Sequence, residues 1–227
     1  MVDNYRYATL LASLPHLKPP FVSQLTPLSR LKLENRLSML DERDWATLQQ
    51  IEDVLQRSRQ PMERTDADIV AAAQELMQAL KSSVLREIVS SRLDYRTIVV
   101  ALRRRKRGES APPPGQPWGY GRWVSHIMRY WNQPAFQLDI LFPWVLEANR
   151  LLNENDAIGL ERLLLKVAWD DLERFSQEHR FDFEAVVIYV LRWDLVARWT
   201  SYNREAATKR FAALVDTGLE EFAKVFG

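Results

Sequence analysis

The chain has 227 residues, 47% hydrophobic and 27% charged, with 31 lysines and arginines against 30 acidic residues and a formal charge of +1. That length allows one large domain or two small ones, and the balanced charge creates no global field toward nucleic acid or anionic lipid. Only seven glycines argue against turn-rich β folds and glycine-rich phosphate loops, and the absence of cysteine excludes disulfides, thiolate metal sites and cysteine nucleophiles.

Met1 to Arg6 lacks the basic-then-apolar layout of a secretory signal. Tyr5 to Leu14 has a pattern that suits a strand or a short helix, and is read as helix. Thr26-Pro27 supplies a cap and a first-turn proline, followed by Leu28, Leu31, Leu37 and Leu40 at helical spacings. Asp41 or Asp44 can cap the next helix, whose stripe is Trp45, Leu48, Ile51 and Leu55. Thr65-Asp66-Ala67-Asp68 opens another with Ile69, Ala72, Ala73, Leu76 and Leu80 on one face. A long helix from about Ser83 to Lys106 carries Leu85, Ile88, Val89, Ile98, Val99 and Leu102.

Gly108 to Gly121 changes the texture, holding four of the seven glycines and four of the eleven prolines. Proline removes an amide donor and restricts its predecessor, so no helix crosses this strap, which is either mobile or laid along the surface. It divides an N-terminal region, 1–107, from a tryptophan-rich C-terminal region, 122–227, within one compact unit. Beyond it, helices are expected near Arg122–Trp131, Pro143–Asn153 and Ile158–Gln177. Asp182 can cap an apolar helix to Trp199, and Asn203 a last one bearing Phe211, Leu214, Val215 and Phe222. The apolar stretch 183–199 is interrupted by Glu184, Arg192, Asp194 and Arg198, so it reads as a buried helix rather than a membrane span. The fold class is therefore all-α, a multi-helix bundle.

Little in the sequence assembles catalytic chemistry. His16, His126 and His179 are scattered, and no phosphate-loop, dinucleotide or nucleophile-elbow motif occurs. Neither a cofactor nor a metal is expected. An enzyme would need several ionisable groups in one pocket, His126 with Asp94 or Tyr95 being the available set. Seven of the eight tryptophans follow Pro114. They read as core, or in part as a docking surface for which Trp118, Trp123 and Trp131 are the candidates.

The run Arg103, Arg104, Arg105, Lys106 and Arg107 stands at a helix C-terminus, where cations are favoured by the macrodipole. It is also a candidate patch for an acidic protein partner; near-neutral charge elsewhere speaks against nucleic acid. Asp94, with Arg96, is embedded in an apolar helix with Ile98 four residues on, so its partner is expected from another helix as a polar clamp. Asp194 and Arg198, at i,i+4 spacing, can pair locally as a second clamp.

Two stretches resemble a known family. Ser91-Arg92-Leu93-Asp94-Tyr95-Arg96-Thr97-Ile98-Val99-Val100-Ala101-Leu102-Arg103 is similar to the Asp-x-x-Asn/Thr-x-x-x-x-Leu-Arg helix of the C/d (central-stalk) family of V-type ATPases. Phe181 to Leu191, leading to Arg198-Trp199, and Tyr7 to Pro15 resemble a smaller bacterial group associated with V-type ATP synthases. The chain has room for about two of the family's three helical repeats, and carries Trp193 and Asp194 where late helices of that family often carry glutamates.

The resemblance implies a shortened central-stalk fold and a non-catalytic stalk or accessory subunit of a bacterial V-type ATPase. Its partners would be protein subunits of the rotor stalk or membrane ring. It would lie in the cytoplasm and meet the membrane only through those partners. A general helical protein-binding module or assembly chaperone, with the strap as a capturing loop, is the alternative expectation.

Overall fold

A computed structural model describes residues 6–23, 25–56 and 65–202. Helices α1 (Ala8–Ser13), α2 (Arg30–Leu37), α3 (Glu42–Leu55), α4 (Asp66–Ala79), α5 (Ser83–Lys106), α6 (Val124–Arg129), α7 (Trp144–Asn153) and α8 (Ala157–Ser176) follow in chain order. A ninth, α9, runs from 183 to 202, and no strand occurs among the described residues. The all-α expectation is met. The helix expected from Asn203 lies outside the described residues.

Local chemistry explains most of the boundaries. The Asp41 side chain accepts from the Asp44 amide to start α3, and Thr65 and Asp68 form a reciprocal capping box at α4. Ser82 caps α5, which is 24 residues and so about 36 Å long. Thr26 does not cap α2: Ser29 does, accepting from the Lys32 amide, so the helix begins at Arg30. Asp156 caps α8, and Asp182 Oδ1 accepts from the Ala185 amide at 2.9 Å to open α9.

Two hydrophobic clusters share α5. Leu85, Ile88, Val89 and Leu93 belong to the first, with residues of α1 to α4, α8 and α9. Ile98, Ala101 and Leu102 belong to the second, with residues of the strap, α6, α7 and the start of α8. Val186, Val187, Val190 and Val196 of α9 are fully buried, as an apolar helix at the centre of a core requires. The first cluster therefore draws on both sides of the strap in sequence. No helix among the described residues is long and apolar enough to cross a membrane.

Candidate functional site

The strap is laid against α5 and held there. Thr97 Oγ1 donates to the Tyr120 carbonyl at 2.8 Å and accepts the Tyr120 amide at 3.0 Å. Gly121, at φ 106°, brings its backbone so close that a Cβ would stand 2.3 Å from Asp94 Oδ1. Asp94 is 2% exposed, and its Oδ2 pairs at 3.6 Å with Arg122, a largely exposed side chain. The partner of Asp94 thus comes from the turn before α6 and not from a helix, because Gly121 lets the chain pass over the carboxylate. Asp94 Oδ1 meets no hydrogen-bond partner among the described residues. Burial pushes the Asp94 carboxyl up to about 6, against the opposing influence of Arg122 and the Trp123 indole.

The tryptophans considered for docking serve the interior. Trp118 and Trp131 are buried and meet edge to face, with ring centroids 6.1 Å apart. Trp131 Nε1 donates to the Glu109 carbonyl at 2.9 Å, fastening the start of the strap. Trp123 is half-buried against Phe142 and His126. None of the three is an exposed anchor, since the second cluster is built on them.

The basic run is also largely engaged within the chain. Arg104 and Arg107 both pair with Glu109, at 2.8 and 2.6 Å. Arg105 donates to the carbonyls of Trp131 (3.1 Å), Gln133 and Pro134 (2.6 Å), and to Asn149 Oδ1 (2.8 Å). Its guanidinium also lies 4.4 Å from the Phe136 ring centroid. Lys106 donates to the Leu152 carbonyl and to Asn155 Oδ1. These cations satisfy carbonyls of the turns around α6 and α7, the work that oriented donors do at chain ends. Arg103 points elsewhere and lines a cavity with Arg96 and Arg198.

Asp194 and Arg198 do not pair locally as their spacing allows. Arg198 crosses to Glu161 on α8 at 2.5 Å, while Asp194 accepts from Gln56 and stands 4.0 Å from Arg30. Behind that contact lies a pair the sequence reading missed. Glu52 is fully buried and takes a two-pronged hydrogen bond from Arg30, at 2.6 and 2.9 Å. Glu52 follows Leu48 by four residues in the apolar stripe of α3, a carboxylate out of place in the same way as Asp94.

Between α3, α5, α8 and α9 opens a cavity of about 780 Å3, lined by Arg30, Arg92, Arg103 and Arg198 and by two carboxylates, Glu161 and Asp194. A smaller one of about 160 Å3 shares Arg92, Arg103 and Arg198 and adds Asp66, Tyr95 and Arg96. Elsewhere, ligand atoms of His179, Asp182 and Glu184 lie within 4.8 Å of one another, the set that could hold a metal ion. All three are already engaged in holding the fold. His179 Nδ1 is 2.6 Å from Asp182 Oδ2, Asp182 caps α9, and Glu184 accepts from Ser82 at 2.6 Å. His126 does not join Asp94 in a catalytic pair; its Nε2 is bonded to the Phe136 carbonyl at 2.9 Å.

Two groups of apolar side chains remain in water. Val22, Leu25 and Leu31 flank the start of α2, and Ile140, Leu141 and Leu146 flank the start of α7. Ile140 is 90% exposed on a turn fixed by the Leu141 and Phe142 amides donating to the Leu138 carbonyl at 3.1 and 2.7 Å.

No curated protein and no solved structure matches the chain. A family model described as a protein of unknown function, DUF2764, matches residues 5–221, and the chain belongs to that family.

Proposed function

We propose that the protein is a non-catalytic helical adaptor, a stalk or accessory subunit of a bacterial V-type ATPase that links or helps assemble its soluble and membrane sectors. The observation that carries the adaptor reading is the Ile140-Leu141 turn with Leu146 beside it. It is an apolar projection held by backbone hydrogen bonds and rooted in the second core. A pre-formed projection of this kind loses little entropy on docking and suits an anchor in a partner's pocket. The choice of partner rests on the resemblance of the α5 stretch 91–103 and the α9 stretch 181–191 to the central-stalk C/d family and its relatives. Both lie on the two helices around which the body is packed. In this reading the chain needs no cofactor or metal, and reaches the cytoplasmic side of the membrane through its protein partners.

The test is co-purification of the tagged full-length chain from native membranes, with the recovered proteins identified by mass spectrometry. Recovery of rotor-stalk or ring subunits, lost on joint Ile140→Asp and Leu141→Asp substitution, supports the proposal. Recovery of other proteins through the same turn would move the reading to a general binding module. Recovery without dependence on the turn would remove the projection as the anchor.

A further inference from the structure

The loop that leads into α2 is fastened to the body and yet presents apolar side chains to water. Tyr189 and Trp193 of α9 donate to the carbonyls of Pro15 and Leu28 at 2.9 and 3.0 Å, which fixes the loop at both ends. Leu17, Leu28 and Leu33 face inward and are buried in the first cluster. Val22, Leu25 and Leu31 face the other way, each about two-thirds exposed. Val22 stands on a turn closed by its amide donating to the Pro19 carbonyl at 3.1 Å. Leu31 lies in the first turn of α2, whose start is held by the Ser29 cap. Apolar side chains set in water on a fastened support mark a surface that gains by being covered.

The cations around them say by what. From Pro15 to Leu33 the sequence has Lys18, Arg30 and Lys32 and no acidic residue. Arg30 is spent internally, on Glu34 and Glu52. Lys18 belongs to the turn that carries Val22, its carbonyl accepting from Ser23 Oγ at 3.4 Å, and Lys32 follows Leu31. Both lysines are exposed, with no carboxylate within ion-pair distance among the described residues. Arg162 of α8 joins them, its guanidinium 5.4 Å from the ring centroid of Phe21, the residue before Val22. The carboxylate beside it in sequence, Glu161, is taken by Arg198. Aliphatic side chains flanked by cations find both of their partners at one place, the boundary between acyl chains and anionic headgroups. A nucleic acid offers phosphates and no acyl layer, and a protein would need a pocket shaped to three separate side chains. A bilayer surface needs no matching shape. We propose that this face rests directly on an anionic membrane, with Val22, Leu25 and Leu31 entering the headgroup region and Lys18, Lys32 and Arg162 meeting lipid phosphates. The contact goes beyond the adaptor reading, since it is made with lipid itself and from the first cluster, whereas the Ile140 turn is rooted in the second.

Flotation of the full-length chain with vesicles tests it, using phosphatidylcholine alone and phosphatidylcholine mixed equally with phosphatidylglycerol. Binding is expected to the mixed vesicles, to be weak on the neutral ones, and to fall as salt is raised. Each basic residue at an anionic surface strengthens binding about fivefold, so joint Lys18→Gln and Lys32→Gln substitution should weaken it at least about tenfold. Joint Leu25→Ser and Leu31→Ser substitution should weaken it by a similar factor. Circular dichroism establishes that each variant is folded, and the salt dependence of the unaltered chain tests the charges without any variant. Absence of binding to the mixed vesicles overturns the proposal, including the case in which an acidic protein or a second copy of the chain is captured instead. So does equal binding to both kinds of vesicle, or binding undiminished in either folded double variant.

Discussion

Thr97 and Tyr120 are joined twice through one hydroxyl, which donates to the Tyr120 carbonyl at 2.8 Å and accepts its amide at 3.0 Å. A loop that looks in sequence like a linker is thereby tied to the middle of the longest helix. Thr97→Val keeps the shape and leaves both backbone groups of Tyr120 short of a partner, at a cost of roughly 1–3 kcal/mol. Urea denaturation is expected to show that loss, together with faster proteolysis within 108–121. Thr97→Ser is expected to restore most of both.

Gly121 and Gly115 make a matched pair for backbone effects. Both have positive φ, 106° and 86°, but a Cβ at 121 meets Asp94 Oδ1 at 2.3 Å while one at 115 meets nothing within 4 Å. Gly115→Ala is expected to cost only the conformational penalty of about 1 kcal/mol. Gly121→Ala adds a steric collision and displaces the Arg122 turn, so its loss of stability should exceed that of Gly115→Ala. Equal effects in thermal melts would show that the strap is not seated on Asp94.

Asp94 makes stability depend on pH in a defined direction. Its carboxyl is raised from 3.8 to about 6, so between these values the folded chain holds a proton that the unfolded chain has released. The resulting contribution is fully present below about pH 4 and is lost as pH rises through about 6, a change on the order of 2–3 kcal/mol. Asp94→Asn cannot release that proton. Its stability relative to the unaltered chain should therefore rise between about pH 4.5 and pH 7.5, as read from denaturant midpoints. A flat difference across that range would falsify the assignment.

The Arg30–Glu52 pair predicts a larger and less symmetrical effect. Glu52 has no exposure and Arg30 is about a quarter exposed, so removing the arginine takes the two-pronged cationic donor from a buried carboxylate and leaves it the Gln56 amide among its partners. Arg30→Ala is expected to cost about 3–5 kcal/mol, whereas joint Arg30→Met and Glu52→Leu substitution should recover much of it. Denaturant unfolding of the two variants checks the order.

The helices were legible because they are amphipathic and mostly capped by short polar side chains; α5 is read at its observed limits, Ser83 to Lys106. The entry to α2 was not, because Thr26 and Ser29 are both chemically suitable caps, and the chain uses Ser29, with Leu28 buried in the first cluster just before it. Asp94 could be singled out as a carboxylate among apolar residues, but its partner, set by a glycine 27 residues later, could not. The same logic would have exposed Glu52. Charge runs and tryptophans read two ways in sequence for a related reason. Arg105 and Trp131 are attractive binding residues in isolation, yet both are occupied by backbone carbonyls of the chain itself.

The sharing of α5 between two cores sets where this chain can be cut. A fragment ending at 107 would retain the helix yet leave Ile98, Ala101 and Leu102 without the residues that cover them. A fragment beginning at 122 would lose the helix that α7 and α8 lean on. The proline strap, inviting as a place to split the molecule into expressible halves, is therefore a poor place for the cut. Unfolding should spread along α5 and take both halves down in a single cooperative step.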